Sequence, residues 1–264
     1  MEAVFMVGHR TGHFATLEVK MAELKNTYNS SIGGIRSDAA IDEGLRSYMI
    51  RVYNYMSLGI AFTAIITMAL ANSPALLSTI SSMSLVFFIA LLAVSWFGPR
   101  MVLNAKSPAM AQAFYWGYAG LWGLAIAPMV VRYLNVAPGL VVQAFAITAV
   151  LFGSMSLVGY TTKKNLSGIG QFAVMAMIGL IVVALANVFF FESTMLSVGI
   201  SAIYVLLISA ITAWETQEIK QMYVESDGQA IQSRKAIFGA FLLYGSFISM
   251  FVNILQLLGF MNQE

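Results

Sequence analysis

The chain has no cysteine, which rules out disulfides, thiolate metal sites and cysteine nucleophiles together. Charge is nearly as scarce. Asp, Glu, Lys and Arg make up 10% of the 264 residues, against about 25% in a soluble domain. So few polar side chains cannot cover a folded surface in water. Histidine is almost missing as well. His9 and His13 would share one face of a helix, but no third ligand lies nearby, so they read as solvated tail residues. No Ser-His-Asp arrangement, glycine-rich phosphate loop or His-Glu-x-x-His pattern is present. Neither an enzyme nor a cofactor is expected. A net charge of +2 without a basic run argues against a nucleic-acid partner. Residues 1–46 lack the apolar core of a signal peptide.

What the chain does have is hydrophobic residues, 59% of the total. They gather in seven stretches, each near the roughly 20 residues that cross a bilayer. These run over Val52–Asn72, Leu76–Phe97, Gln112–Val131, Gly139–Tyr160, Gly170–Phe191, Met195–Trp214 and Ala236–Phe260. A backbone in hydrocarbon must satisfy its own hydrogen bonds, and the alternation of a membrane barrel is absent, so the spans are helices. The expected fold is all-α: a polytopic bundle of seven transmembrane helices (residues 51–264) behind a tail (residues 1–50), with membrane lipid as its solvent. Asn72-Ser73-Pro74, Gly98-Pro99-Arg100, Pro138-Gly139 and Phe191-Glu192-Ser193 mark breaks between spans. The one sizeable loop is expected over Glu215–Lys235.

Basic residues set the orientation. Arg10, Lys20, Lys25, Arg36, Arg46 and Arg51 precede the first span. Arg100, Lys106, Lys163, Lys164, Lys220, Arg234 and Lys235 fall in the even-numbered loops, and Arg132 alone falls in an odd one. Thirteen of the 14 basic residues therefore share one side. This places the N-terminus in the cytoplasm and, after seven spans, the C-terminus outside.

Three segments carry a family resemblance. The fourth loop reads Gly159-Tyr160-Thr161-Thr162-Lys163-Lys164-Asn165-Leu166-Ser167-Gly168-Ile169-Gly170. The end of the sixth span reads Trp214-Glu215-Thr216-Gln217-Glu218-Ile219-Lys220-Gln221-Met222-Tyr223. The first span is approached through Gly44-Leu45-Arg46-Ser47-Tyr48-Met49-Ile50-Arg51-Val52-Tyr53. Together they resemble the Bax inhibitor-1-like family, in order and spacing from Ser37 to Gly259, and most of all its alpha-proteobacterial members. Residues 1–20 have no family counterpart, which makes Met21 a candidate start.

The resemblance implies six helices around a central seventh and a passive, pH-responsive calcium leak in the bacterial inner membrane. Calcium ions and protons would then be the partners. It also implies two aspartates, one late in the sixth helix and one in the seventh, that share a proton because two close carboxylates do not both ionise readily. A basic residue of the second helix helps hold the closed form; Arg100 is the candidate, to pair with Glu215 across the bundle, though an ordinary positive-inside anchor is the weightier reading. Here the first acidic position matches Glu215, the one candidate calcium ligand. The seventh-helix motif, like Leu-Tyr-Leu-Asp-Phe-Ile-Asn in the family, reads Leu243-Tyr244-Gly245-Ser246-Phe247-Ile248-Ser249. Ser246 stands where the second aspartate belongs, and a hydroxyl carries no charge near neutral pH. The rival expectation is a non-conducting regulator that binds a membrane protease or stress factor.

Each remaining candidate has two readings. Ser246, Ser249, Asn253 and Gln256 are spaced 3, 4 and 3 apart, so they form one polar stripe on the seventh helix. The stripe is either a hydrophilic path or, more in keeping with membrane helices, interhelical glue. Lys163, Lys164 and Asn165 form the signature loop, which fixes a tight, charged helix connection and serves as a topology anchor or a headgroup contact. Trp116, Tyr118 and Trp122 read as packing and interfacial residues.

Overall fold

The polypeptide is described over residues 43–262 of a computed structural model, so the tail residues 1–42, with His9 and His13, lie outside it. Among the described residues there is helix and no strand. The helices are α1 (Glu43–Ala71), α2 (Pro74–Ser82), α3 (Ser84–Leu103), α4 (Pro108–Val136), α5 (Pro138–Thr161), α6 (Ser167–Ala186), α7 (Thr194–Gln221) and α8 (Gln229–Met261). A π-type turn over Asn187–Phe191 extends α6. All but α2 are long and apolar enough to span a bilayer, 7 helices in all.

Proline accounts for several boundaries. Pro74, Pro108 and Pro138 sit in the first turn of α2, α4 and α5, where the missing N–H costs nothing. The Ser107 hydroxyl caps α4 by accepting from the Met110 amide at 3.2 Å. Between α6 and α7, Glu192 adopts a left-handed conformation (φ 47°). The buried Asn187 amide stitches that turn together, bonding Ser193 O at 3.1 Å, Ser193 N at 3.0 Å and Ser197 Oγ at 2.8 Å.

The second span differs from expectation. Residues 76–82 belong to the separate helix α2, and the span runs Ser84–Leu103. In α2 the hydroxyls of Ser78, Thr79, Ser81 and Ser82 bond back to carbonyls three or four residues earlier, a habit that bends and ends helices. Gly98-Pro99 does not end the span but lies inside α3. A side chain at Gly98 would come within 2.5 Å of the Phe241 ring, so the glycine admits α8 at close range.

The long loop expected over Glu215–Lys235 shrinks to residues 222–228, because α7 continues to Gln221 and α8 begins at Gln229. The polar residues of that stretch remain helical because their side chains find partners within the protein. Lys235 closes the short loop by bonding Asp227 and, at 2.8 Å, the carbonyl of Met222. The first helix is already formed at Glu43, the first described residue, ahead of the boundary expected at residue 50, and Tyr48 and Met49 are buried.

The seventh span, α8, forms the axis. In its most apolar stretch 72% of the residues are buried, against 11% to 44% in the other spans. α3, α4, α5 and α7 all pack on it. α1 joins through Thr63, which shares a 2.6 Å hydrogen bond with the Tyr244 hydroxyl. α6 instead rests on α7, where a side chain at Gly170 would overlap the Trp214 indole at 2.2 Å. Large apolar side chains such as Trp96, Val150, Phe172 and Leu206 point outward, as hydrocarbon solvent requires.

Candidate functional site

The polar residues of α7 divide between two neighbours. Glu215 faces α8, where the buried Ser246 hydroxyl donates to its Oε2 at 2.6 Å. Glu218, three residues on, faces α6: its Oε1 accepts from Ser167 Oγ and from Trp214 Nε1, both at 3.2 Å. Glu215 and Glu218 thus point to different neighbours. Glu215 lies six residues inside α7, partly buried against the axis.

Among the described residues no basic side chain pairs with Glu215. Besides Ser246, the hydroxyls of the buried Tyr118 on α4 and of Tyr204 on α7 lie within electrostatic reach. Among the described residues the one ion pair is Lys235–Asp227, far along the chain from Glu215. Arg100 is exposed on the last turn of α3 and is not brought to Glu215, because α3 continues past Gly98-Pro99 and turns that side chain outward. No group of 3 or more acidic or histidine side chains gathers among the described residues. Calcium takes roughly 6–8 oxygen ligands, so Glu215 alone is not a cation cage.

Tyr118 shows why the motif of α8 departs from its expected form. Its ring stacks on Phe241 with centroids 4.1 Å apart, and its hydroxyl bonds Ser95 Oγ at 3.2 Å. A Cβ at Gly245 would fall 2.7 Å from that hydroxyl. Gly245 thus vacates the space that Tyr118 fills, one residue from Ser246. Sequence reasoning treated Tyr118 as packing, and its position beside the acid appears only once α4 and α8 are docked.

The rest of the stripe lines a cavity of about 730 Å³ between α3 and α4 on one side and α6 and α7 on the other. Ser249, Asn253 and Gln256 all open onto it. The stripe is also glue: Ser246 donates to Glu215, Ser249 meets the Tyr204 hydroxyl of α7, and Gln256 Oε1 accepts from Ser201 at 2.9 Å. Asn253 bonds its own helix, donating to Ser249 O at 2.9 Å.

The signature loop is clamped by a residue that sequence reasoning missed. The buried Gln217 side chain accepts from the Leu166 amide and donates to the Lys164 carbonyl, both at 2.8 Å. Lys220 Nζ reaches the Tyr160 carbonyl at 2.8 Å. Asn165 accepts from the Ser167 amide at 2.8 Å and starts α6, while Lys163 and Lys164 are exposed. Gly159 brings α5 onto α7, since a Cβ there would meet the Ala213 carbonyl oxygen at 2.1 Å. The motif after Trp214 and the loop motif are thus two halves of one joint.

The chain is similar to known proteins along most of its length. Residues 45–263 match the family described as "Inhibitor of apoptosis-promoting Bax1". An uncharacterised protein of Rickettsia prowazekii is 34% identical over 239 residues, covering 88% of this chain and 97% of its own. One of Caulobacter vibrioides is 34% identical over 251 residues, covering 90% and 98%. The inner membrane protein YbhL of Escherichia coli is 32% identical over 232 residues, covering 85% and 97%. With its seven apolar spans and central α8, the chain is an integral membrane protein and belongs to the Bax inhibitor-1-like family.

Proposed function

We propose that the protein is a calcium leak or ion-homeostasis protein of the bacterial inner membrane, with Glu215 as its one titratable element. The observation that carries this reading is the Glu215 carboxyl, turned into the bundle and held at 2.6 Å by Ser246 of the axial helix. An ionisable group at membrane depth is expensive to keep and marks function more often than packing. In this reading the protein transports and does not catalyse. The naming of YbhL as an inner membrane protein supports the membrane assigned. The distribution of basic residues supports a cytoplasmic side for the Lys- and Arg-rich loops.

The test is calcium flux into liposomes that contain the purified protein and a trapped calcium dye. Dye response with the native sequence, diminished in Glu215→Gln, supports the leak. The absence of a second carboxylate at Ser246 favours a second reading, a non-conducting regulator of a membrane protease or stress factor. A protein that passes no calcium at any pH from about 5 to 8, a range that spans carboxylates tuned for proton exchange, would decide for that reading.

A further inference from the structure

The cavity beside α8 is open on a particular side. α3 packs on α4, and α6 packs on α7, but neither α3 nor α4 packs face to face with α6 or α7. None of the lining residues comes from α1, α2 or α5. Among the described residues, then, α3 and α6 do not pack face to face, and the cavity between them is a crevice facing the bilayer.

Its depth and chemistry match one leaflet. The α3 wall runs from Ser84 down to Ser95. At about 1.5 Å per residue this is roughly 16 Å, half of a hydrocarbon core about 30 Å thick. Ser84, Asn187, Ser197 and Gln256 crowd the end away from the Lys- and Arg-rich loops; the α3 and α6 walls carry apolar side chains such as Leu91 and Ile181, and Tyr204, Ser249 and Asn253 line the opposite wall. No Asp, Glu, Lys or Arg lines the crevice. An ion entering here would lose water and find no counter-charge. The volume, about 730 Å³, falls in the range of about 300–1,000 Å³ typical of ligand pockets. Gln256 has its oxygen engaged by Ser201, which leaves its amide N–H groups for an acceptor.

We infer that this crevice holds one acyl chain of a membrane lipid, from the leaflet opposite the Lys- and Arg-rich loops, with an ester carbonyl accepting from Gln256. The site is independent of the leak reading, since it does not use Glu215.

Two measurements decide it. In the first, protein is taken from phosphatidylethanolamine–phosphatidylglycerol vesicles into detergent and weighed by native mass spectrometry. One phospholipid per chain should be retained, and retention should fall about tenfold in Ala184→Phe, which fills the crevice from α6. No retained lipid, or equal retention in the filled variant, overturns the inference. The second measurement uses the absence of native cysteine and needs no filling variant. In liposomes, Ser249→Cys should react with a membrane-impermeant thiol reagent about tenfold more slowly than Asn135→Cys, at the exposed end of α4, because the reagent would have to enter an apolar phase. It should resemble Val150→Cys on the lipid face of α5. Reaction as fast as at Asn135→Cys would mean a water-filled vestibule and would overturn the assignment.

Discussion

Replacing Gln217 with alanine should loosen the signature loop without unfolding the bundle. The amide makes two hydrogen bonds, one to Leu166 N and one to Lys164 O, each at 2.8 Å. A hydrogen bond contributes about 0.5–1.5 kcal/mol net. The loop is partly wet, with Lys163, Lys164 and Asn165 exposed, so water replaces some of what is lost. The joint should weaken by about 1–2 kcal/mol, which raises the population of the open loop about 5- to 30-fold. Trypsin reads this directly, because cleavage after Lys163 or Lys164 tracks the open population when closing is fast. Mapped by mass spectrometry in detergent, cleavage at these two lysines should quicken about tenfold in Gln217→Ala. Gln217→Glu should fall between, since a carboxylate still accepts from Leu166 N but cannot donate to Lys164 O. Unchanged cleavage in Gln217→Ala would show that the clamp does not hold the loop, and that Lys220 and the Gly159 contact suffice.

Gly159→Ala must move α5 off the Ala213 carbonyl and should cost about 1–3 kcal/mol, seen as a lower thermal midpoint in detergent. Tyr244→Phe removes the bond to Thr63 but leaves Thr63 bonded to the Ala119 carbonyl at 3.0 Å, so the loss should be about 1 kcal/mol in the same melt. Reporter fusions at Glu264 should read as external; a cytoplasmic reading would defeat the orientation drawn from the basic residues. Ser246→Asp should make calcium flux pH-dependent between about pH 5 and 8, because the new carboxyl and Glu215 would hold a proton between them. Glu215→Gln in that background should remove the dependence.

The spans were legible because hydropathy reports which side chains lipid can solvate, and seven such stretches exist. Helix ends were less so. Glu215, Thr216, Gln217, Glu218 and Lys220 read as a loop because they are polar, yet each is helical. Hydropathy sees their charge and not their partners: Ser246, Ser167 and the backbone of the fourth loop all come from distant parts of the chain. The serines of α2 had the opposite effect, since apolar neighbours hid a break that their own backbone bonds create. The pairing of Glu215 with position 246 was accessible through the family motif. The environment of that pair was not, because Tyr118 and Tyr204 reach it only through the docking of α4 and the register of α7 against α8.

The two departures in the α8 motif are best understood as one change. Where the motif implied by the resemblance has leucine and aspartate, this chain has Gly245, which faces the Tyr118 hydroxyl, and Ser246, which faces Glu215. With Gly245, the Tyr118 hydroxyl can stand beside α8 while it bonds Ser95, and its ring can stack on Phe241. A leucine at 245 would meet that hydroxyl and drive Tyr118 from Ser95, so the tyrosine and the glycine depend on each other. Ser246, one residue on, is small enough to sit in the same crowded turn and still donate to Glu215. Residues sharing one cavity do not contribute additively. Restoring only the acid therefore leaves Tyr118 in place, next to a larger side chain than the turn now holds. Restoring only the leucine displaces Tyr118 but supplies no second carboxyl. The Ser246→Asp variant therefore tests the acid alone, with Gly245 and Tyr118 left as they stand.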